Sequence, residues 1–143
     1  MAQASYSVTI NRPIEDVFAF IADGERSPQW RPGVIDIHRL SGDGVGSKYA
    51  QVVSGPMGRR IAADYEVTVF RPNTQLEFQT TTGPARPHGR FDLAAVAGGT
   101  QLTFSLDAKL TGLRRMLMGP MVQKTMDSEV QNLDNARRSV RRA

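Results

Sequence analysis

Cysteine is absent from the 143 residues, which excludes disulfide scaffolds, thiolate metal sites and cysteine nucleophiles. Histidine is nearly as scarce, with only His38 and His88 and no H-E-x-x-H pair. No catalytic metal and no cofactor is therefore expected. The glycine-rich stretch Gly42-Asp43-Gly44-Val45-Gly46 lacks the G-x-x-x-x-G-K-[ST] spacing of a phosphate loop, and no G-x-S-x-G elbow offers an acyl-transfer serine. No run approaches the ~18 apolar residues that span a bilayer. The opening MAQASYSVTINRP has no apolar stretch behind a basic start, so no secretory signal is expected and the default location is cytoplasmic.

What is present is ordinary for a globular chain: 40% hydrophobic and 22% charged residues. The length suits one domain over residues 1–143, able to bury roughly 68–70% of its unfolded surface. The formal net charge is +4, and Arg137, Arg138, Arg141 and Arg142 crowd the end. Such a cluster binds nucleic acid or anionic lipid in some proteins. The commoner role is a solvated helix end whose cations complement the helix dipole, so nucleic acid is not expected as a partner.

Two periodicities organise the chain. Tyr6, Val8 and Ile10 alternate with Ser7 and Thr9, which indicates a half-buried strand. Pro13 suits the first position of a helix, and Ile14, Val17, Phe18 and Ile21 form its apolar stripe up to Asp23-Gly24. Ser27-Pro28 offers a cap and first position for a second short helix carrying Trp30. Strands are then expected at 34–40, 48–53, 60–70, 75–81 and 88–96, and in the alternating residues Leu102, Phe104 and Leu106. Turn signals separate them, among them Gly98-Gly99 as a two-residue hairpin loop. In the 60–70 strand Ile61, Ala63, Tyr65, Val67 and Val69 share one face. Beyond Gly112 only a helical stripe survives, Val122, Met126, Val130, Leu133 and Val140, with a kink or restart expected at Gly119-Pro120.

The order is strand, two short helices, six strands and one long helix, with hairpin-length connections that imply an antiparallel sheet. This is an α+β architecture: a curved seven-stranded sheet whose apolar face must be covered, with the terminal helix as the one large amphipathic element available. One helix does not fill the concavity of such a sheet, so a gap lined by inward residues of both is expected.

The segments VTINRPIEDVFAFIADGERSPQW (8–30), GVGS (44–47), YEVTVFRPNTQLEF (65–78) and GGTQLTFSL (98–106), with the helix after Thr111-Gly112, carry a family resemblance. In order and spacing the chain resembles the helix-grip superfamily of START lipid-transfer domains, polyketide cyclases and birch-type pollen allergens (SRPBCC), in its polyketide cyclase/dehydrase form. The resemblance covers nearly the whole chain. It implies a pocket between sheet and long helix for lipids, polyketides, sterols or similar compounds.

The expected ligand-binding residues are Trp30, Tyr49, Gln51, Met57, Tyr65, Phe78, Phe91, Phe104, Met116, Leu117 and Met121. Tyr49 and Tyr65 bring hydroxyls that orient a ligand carbonyl or simply pack with their tips satisfied. If Gln51 faces inward with Tyr49 and Val53, its amide needs a partner: the Tyr65 hydroxyl, a water or a ligand oxygen. Met116, Met118 and Met121 near the expected kink, with Met57 in a loop, suit an adaptable entrance or serve as core filler. No catalytic residue is assigned. Alternation puts Gly89, Phe91 and Leu93 inward and His88 outward or at the rim, His38 fares no better, and Asp64 and Glu66 fall on the wet face of their strand.

Three functions follow in order of support. The first is a carrier or sensor of a small hydrophobic molecule. The second is a polyketide cyclase or dehydratase that works by positioning its substrate, with Tyr49, Gln51 and Tyr65 as its polar groups. The third is a protein- or RNA-interaction module using the basic C-terminus, for which no stacked-aromatic RNA motif is present.

Overall fold

The structure, a computed structural model, describes residues 2–109 and 112–142, with the side chains of Pro56, of 112–118 and of Arg142 outside that description. Strand β1, Ala2–Ile10, begins four residues before the alternation at Tyr6 and keeps the same parity, burying Ala2, Ala4, Val8 and Ile10. Helix α1, Ile14–Ala22, follows, with Pro13 as its extended N-cap rather than its first helical residue. It buries Val17, Phe18, Phe20 and Ile21. The second helix is a 3-10 turn, Gly24–Gln29, that starts earlier than Ser27-Pro28 would place it. Asp23 caps it by accepting from the Glu25 amide at 3.2 Å, and Trp30 stands just past its end.

Seven more strands complete the sheet: β2 (Val34–Ser41), β3 (Lys48–Ser54), β4 (Arg60–Ala62), β5 (Tyr65–Arg71), β6 (Gln75–Thr80), β7 (His88–Val96) and β8 (Gly99–Ala108). All pairings are antiparallel, in the order β1-β8-β7-β6-β5-β3-β2, with β4 paired to β3 off that path. The seven-strand path is the expected sheet. The eighth strand arises because 60–70 is not one strand but breaks at Ala63-Asp64. There the Gln51 amide donates to Asp64 Oδ1 (3.0 Å) and the Asp64 amide to Thr82 Oγ1 (2.8 Å), so side chains replace ladder bonds. A register shift between Val67 and Val69 then moves Val69 off the buried face that Val67 keeps. The β7–β8 hairpin turns on Ala97-Gly98, with Gly98 at φ +81° and Gly99 already paired to Val96, one residue before the expected loop.

Helix α2, Gly112–Gln131, runs through Gly119-Pro120 without restarting; the break comes at Asn132, before α3, Leu133–Arg142. The Asn132 and Asn135 amides turn back to the carbonyls of Glu129 and Asn132. The stripe Val122, Met126, Val130, Leu133 and Val140 is buried, joined by Ala136. Helix α2 lies on β1 and β8, while α3 packs on β1, α1 and the 3-10 turn. Asn135 Nδ2 donates to the Trp30 carbonyl (3.2 Å) and Ser139 Oγ to the Gln29 carbonyl (3.1 Å), pinning the Trp30 segment over the sheet. On α3, Arg138 and Arg141 are exposed opposite that buried side, as at a solvated helix end.

Candidate ligand site

An aromatic file crosses the concave face of the sheet from β3 to β8. Tyr49 and Tyr65 are paired across β3 and β5, with rings stacked 4.9 Å apart at 16°. Phe78 follows at 5.1 Å from Tyr65 and lies over Gly89, its partner on β7, where any Cβ would stand 2.1 Å from the ring. Phe91 and Phe104, partners across β7 and β8, stack at 4.3 Å and 16°. Trp30 meets both edge-on at 6.2 and 6.0 Å. Each ring occupies the inward parity of its strand, so a period of two across five strands builds one continuous π surface.

Between this surface and the Trp30 segment lies a cavity of about 30 Å³, walled by Ala22, Ser27, Trp30, Arg31, Tyr49, Tyr65 and their neighbours. That is room for one or two water molecules. A second, more open cleft of about 280 Å³ adjoins it between α1 and the 42–47 turn, bounded by Asp23, Glu25, Arg39, Asp43, Ser47 and Phe70. Ala22, Tyr49 and Val67 belong to both linings and form the wall between them.

The charged group in the inner wall is Arg31. Its side chain is only 15% exposed. Nε pairs with Glu129 of α2, Nη1 donates to Gln51 Oε1 at 2.9 Å, and the guanidinium carbon stands 5.9 Å from the Trp30 ring. Gln51 Nε2 in turn donates to the Ala63 carbonyl at 3.0 Å. The buried amide thus finds Arg31 and backbone rather than the Tyr65 hydroxyl. Burial raises the pKa of Tyr65, and more weakly that of Tyr49, where a hydrogen bond from the Gly24 backbone opposes the shift. Both phenols therefore keep their protons near neutral pH.

The structure brings Trp30, Tyr49, Tyr65, Phe78, Phe91 and Phe104 of the expected residues to one cavity, and Gln51 supports its wall through Arg31. Met57 does not join them: it sits fully exposed at φ +60° on the 3-10 turn Pro56–Gly58. Met121 is also exposed, on α2. The side chains of Met116, Leu117 and Met118 lie outside the described residues. His88 faces away from the cavity, as alternation requires, with Nε2 at 2.8 Å from Glu77 and Nδ1 at 3.2 Å from Asp107. Among the described residues no cluster of histidines and carboxylates is arranged to hold a metal ion, and no helix is long and apolar enough to cross a membrane. Sequence reasoning does not single out Arg31. The one signal for it is the spacing of Ser27, Trp30 and Arg31, at i, i+3 and i+4, which gathers them on one side of a helical turn.

A bent antiparallel sheet carrying a long C-terminal helix is the helix-grip arrangement of START-like proteins, although the described residues that line the cavity come from the sheet, α1 and the Trp30 segment rather than from that helix. The chain belongs to the family described as "Polyketide cyclase / dehydrase and lipid transport", whose model matches residues 1–138, and so to the SRPBCC superfamily. Solved structures agree on the fold. The protein TTHA0849 from Thermus thermophilus has a TM-score of 0.82 at 20% identity, with 96% of each chain covered. A START superfamily protein from Mycobacterium smegmatis has 0.77 at 20% identity, covering 95% of this chain and 94% of that one. The di-domain ARO/CYC StfQ of the steffimycin biosynthetic pathway has 0.81 at 11% identity, covering 95% of this chain and 49% of that one. Among curated proteins nothing matches.

Proposed function

We propose that the chain binds a small hydrophobic molecule on the aromatic file between sheet and helix, as a carrier or sensor. The observation behind this is the convergence of Trp30 and five further rings on one cavity with a guanidinium in its wall. The cavity is too small for such a ligand in this conformation, since small-molecule pockets usually measure about 300–1,000 Å³. The inner cavity and the adjoining cleft together reach the lower end of that range, and Tyr49 is the largest side chain of the wall dividing them. A ligand therefore enters past Tyr49 and displaces its ring. Burial of about 300 Å² of ligand at ~25 cal/mol/Å² supplies about 7 kcal/mol before association costs, which sets micromolar affinity as the scale.

Trp30 is the one tryptophan, so its fluorescence reports occupancy directly. Titration with fatty acids, sterols, quinones and aromatic polyketides, beside native mass spectrometry of the purified protein, tests the reading. Tyr49→Ala should bind the same ligands more tightly by opening the wall. Flat titrations throughout, with nothing co-purifying, would sink it.

The family description and the likeness to an ARO/CYC fold support a second reading, cyclase or dehydratase chemistry by substrate positioning. Tyr49, Gln51 and Tyr65 are its polar groups. With both phenols held protonated, their part is to donate to a substrate carbonyl. Turnover of a poly-ketone substrate that is unaltered in Tyr49→Phe, Gln51→Leu and Tyr65→Phe would exclude this version.

A further inference from the structure

The Arg31–Glu129 pair joins the Trp30 segment to helix α2, and both side chains are largely buried, at 15% and 22% exposure; Arg31 lines the cavity, and Glu129 reaches it only through that pair. A guanidinium has five N–H donors. Glu129 takes Nε and Gln51 takes Nη1, while Nη2 has no hydrogen-bond partner among the described residues. The pair is electrically balanced, yet its cationic half, which lines a mainly aromatic cavity, still has donors to offer.

Balance and spare donors together select a ligand. An incoming carboxylate would meet Arg31 already neutralised and Glu129 beside it, and like charges at close range in a poorly solvated site repel strongly. A neutral acceptor adds no charge and gains a charge-assisted hydrogen bond from the guanidinium. We infer that Arg31 anchors a neutral carbonyl oxygen on an apolar or aromatic body, and that Glu129 acts as a charge filter excluding the corresponding acid. The inference rests on the pocket reading above. It adds a substrate class, neutral ketones, quinones, lactones or esters rather than free fatty or aryl acids, and two specificity-determining residues.

Three probes of one shape separate the possibilities: 2-acetonaphthone, 2-ethylnaphthalene and 2-naphthoate, titrated by calorimetry into the full chain. In the wild type the ketone should bind at least about tenfold more tightly than the hydrocarbon, as one charge-assisted hydrogen bond allows, with the acid weakest. Glu129→Gln should raise naphthoate affinity at least about tenfold and place the acid above the ketone, because the guanidinium then needs a counter-charge. Arg31→Met combined with Glu129→Gln removes the pair whole, leaving no uncompensated buried charge. That double variant should bind ketone and hydrocarbon equally.

Equal binding of ketone and hydrocarbon by the wild type, or tightest binding of the acid, overturns the inference and leaves the pocket reading standing. So does a Glu129→Gln protein, folded by circular dichroism, that gains nothing for naphthoate. Failure of all three probes to bind the wild type overturns the pocket reading itself, and this inference with it.

Discussion

Gly24 lies so close to Tyr65 that a Cβ built on it would stand 2.3 Å from the phenolic oxygen, and 2.7 Å from the ring of Tyr49. The start of the 3-10 turn thus rests directly on the stacked tyrosine pair, and only a residue without a side chain permits the approach. Gly24→Ala must push both rings toward the sheet. The expected cost is about 1–3 kcal/mol, the range for overpacking a core, read as a lower denaturant midpoint. Because Tyr49 is also the wall between the two cavities, the same variant should alter ligand affinity. A midpoint and affinity both equal to wild type would mean that the tyrosines yield freely.

Phe104 is almost completely buried, stacked on Phe91 and met edge-on by Trp30. Phe104→Ala should cost about 3–5 kcal/mol and Phe104→Leu distinctly less, measured by urea unfolding. The larger deletion also enlarges the small cavity that Phe104 lines, so a folded Phe104→Ala protein should take up benzene-sized apolar molecules that the wild type excludes.

Burial raises the pKa of Tyr65 in the folded state, so above the ordinary tyrosine range near 10 the unfolded chain loses that proton first. The sign follows from linkage: the unfolded state then binds fewer protons, and stability falls as pH rises. The Tyr65 contribution is fully present below pH ~10 and lost above it. Denaturant midpoints should drop from pH 8 to pH 10.5 in the wild type and drop less in Tyr65→Phe. Equal losses in both would assign the effect to other groups.

Gln51 hands one hydrogen bond to the Ala63 carbonyl and receives one from Arg31. Gln51→Leu keeps the volume but leaves the Ala63 carbonyl and one guanidinium donor without these partners. A loss of about 1–3 kcal/mol is expected, against near neutrality had the amide merely filled space. Its Trp30 emission should shift as well, since Arg31 stands over that ring.

The alternation of the strands, the buried stripe of the terminal helix and the five strand rings of the aromatic file can all be read along the chain. Each depends on parity within a few consecutive residues, and Tyr49, Tyr65, Phe78, Phe91 and Phe104 each carry the inward parity of their own strand. Periodicity has no means of showing the rest. The break at Ala63-Asp64 depends on Asp64 meeting the Gln51 amide thirteen residues away. The helix break at Asn132 is set by local turn hydrogen bonds and not by Gly119-Pro120, the stronger breaker on paper. Arg31 and Glu129 are separated by 98 residues, and no window of sequence marks them as partners. Cavity size likewise follows from how rings on five strands stack against one another. Parity is a property of a segment; pairing, balance of charge and leftover volume arise only when distant segments are brought into contact.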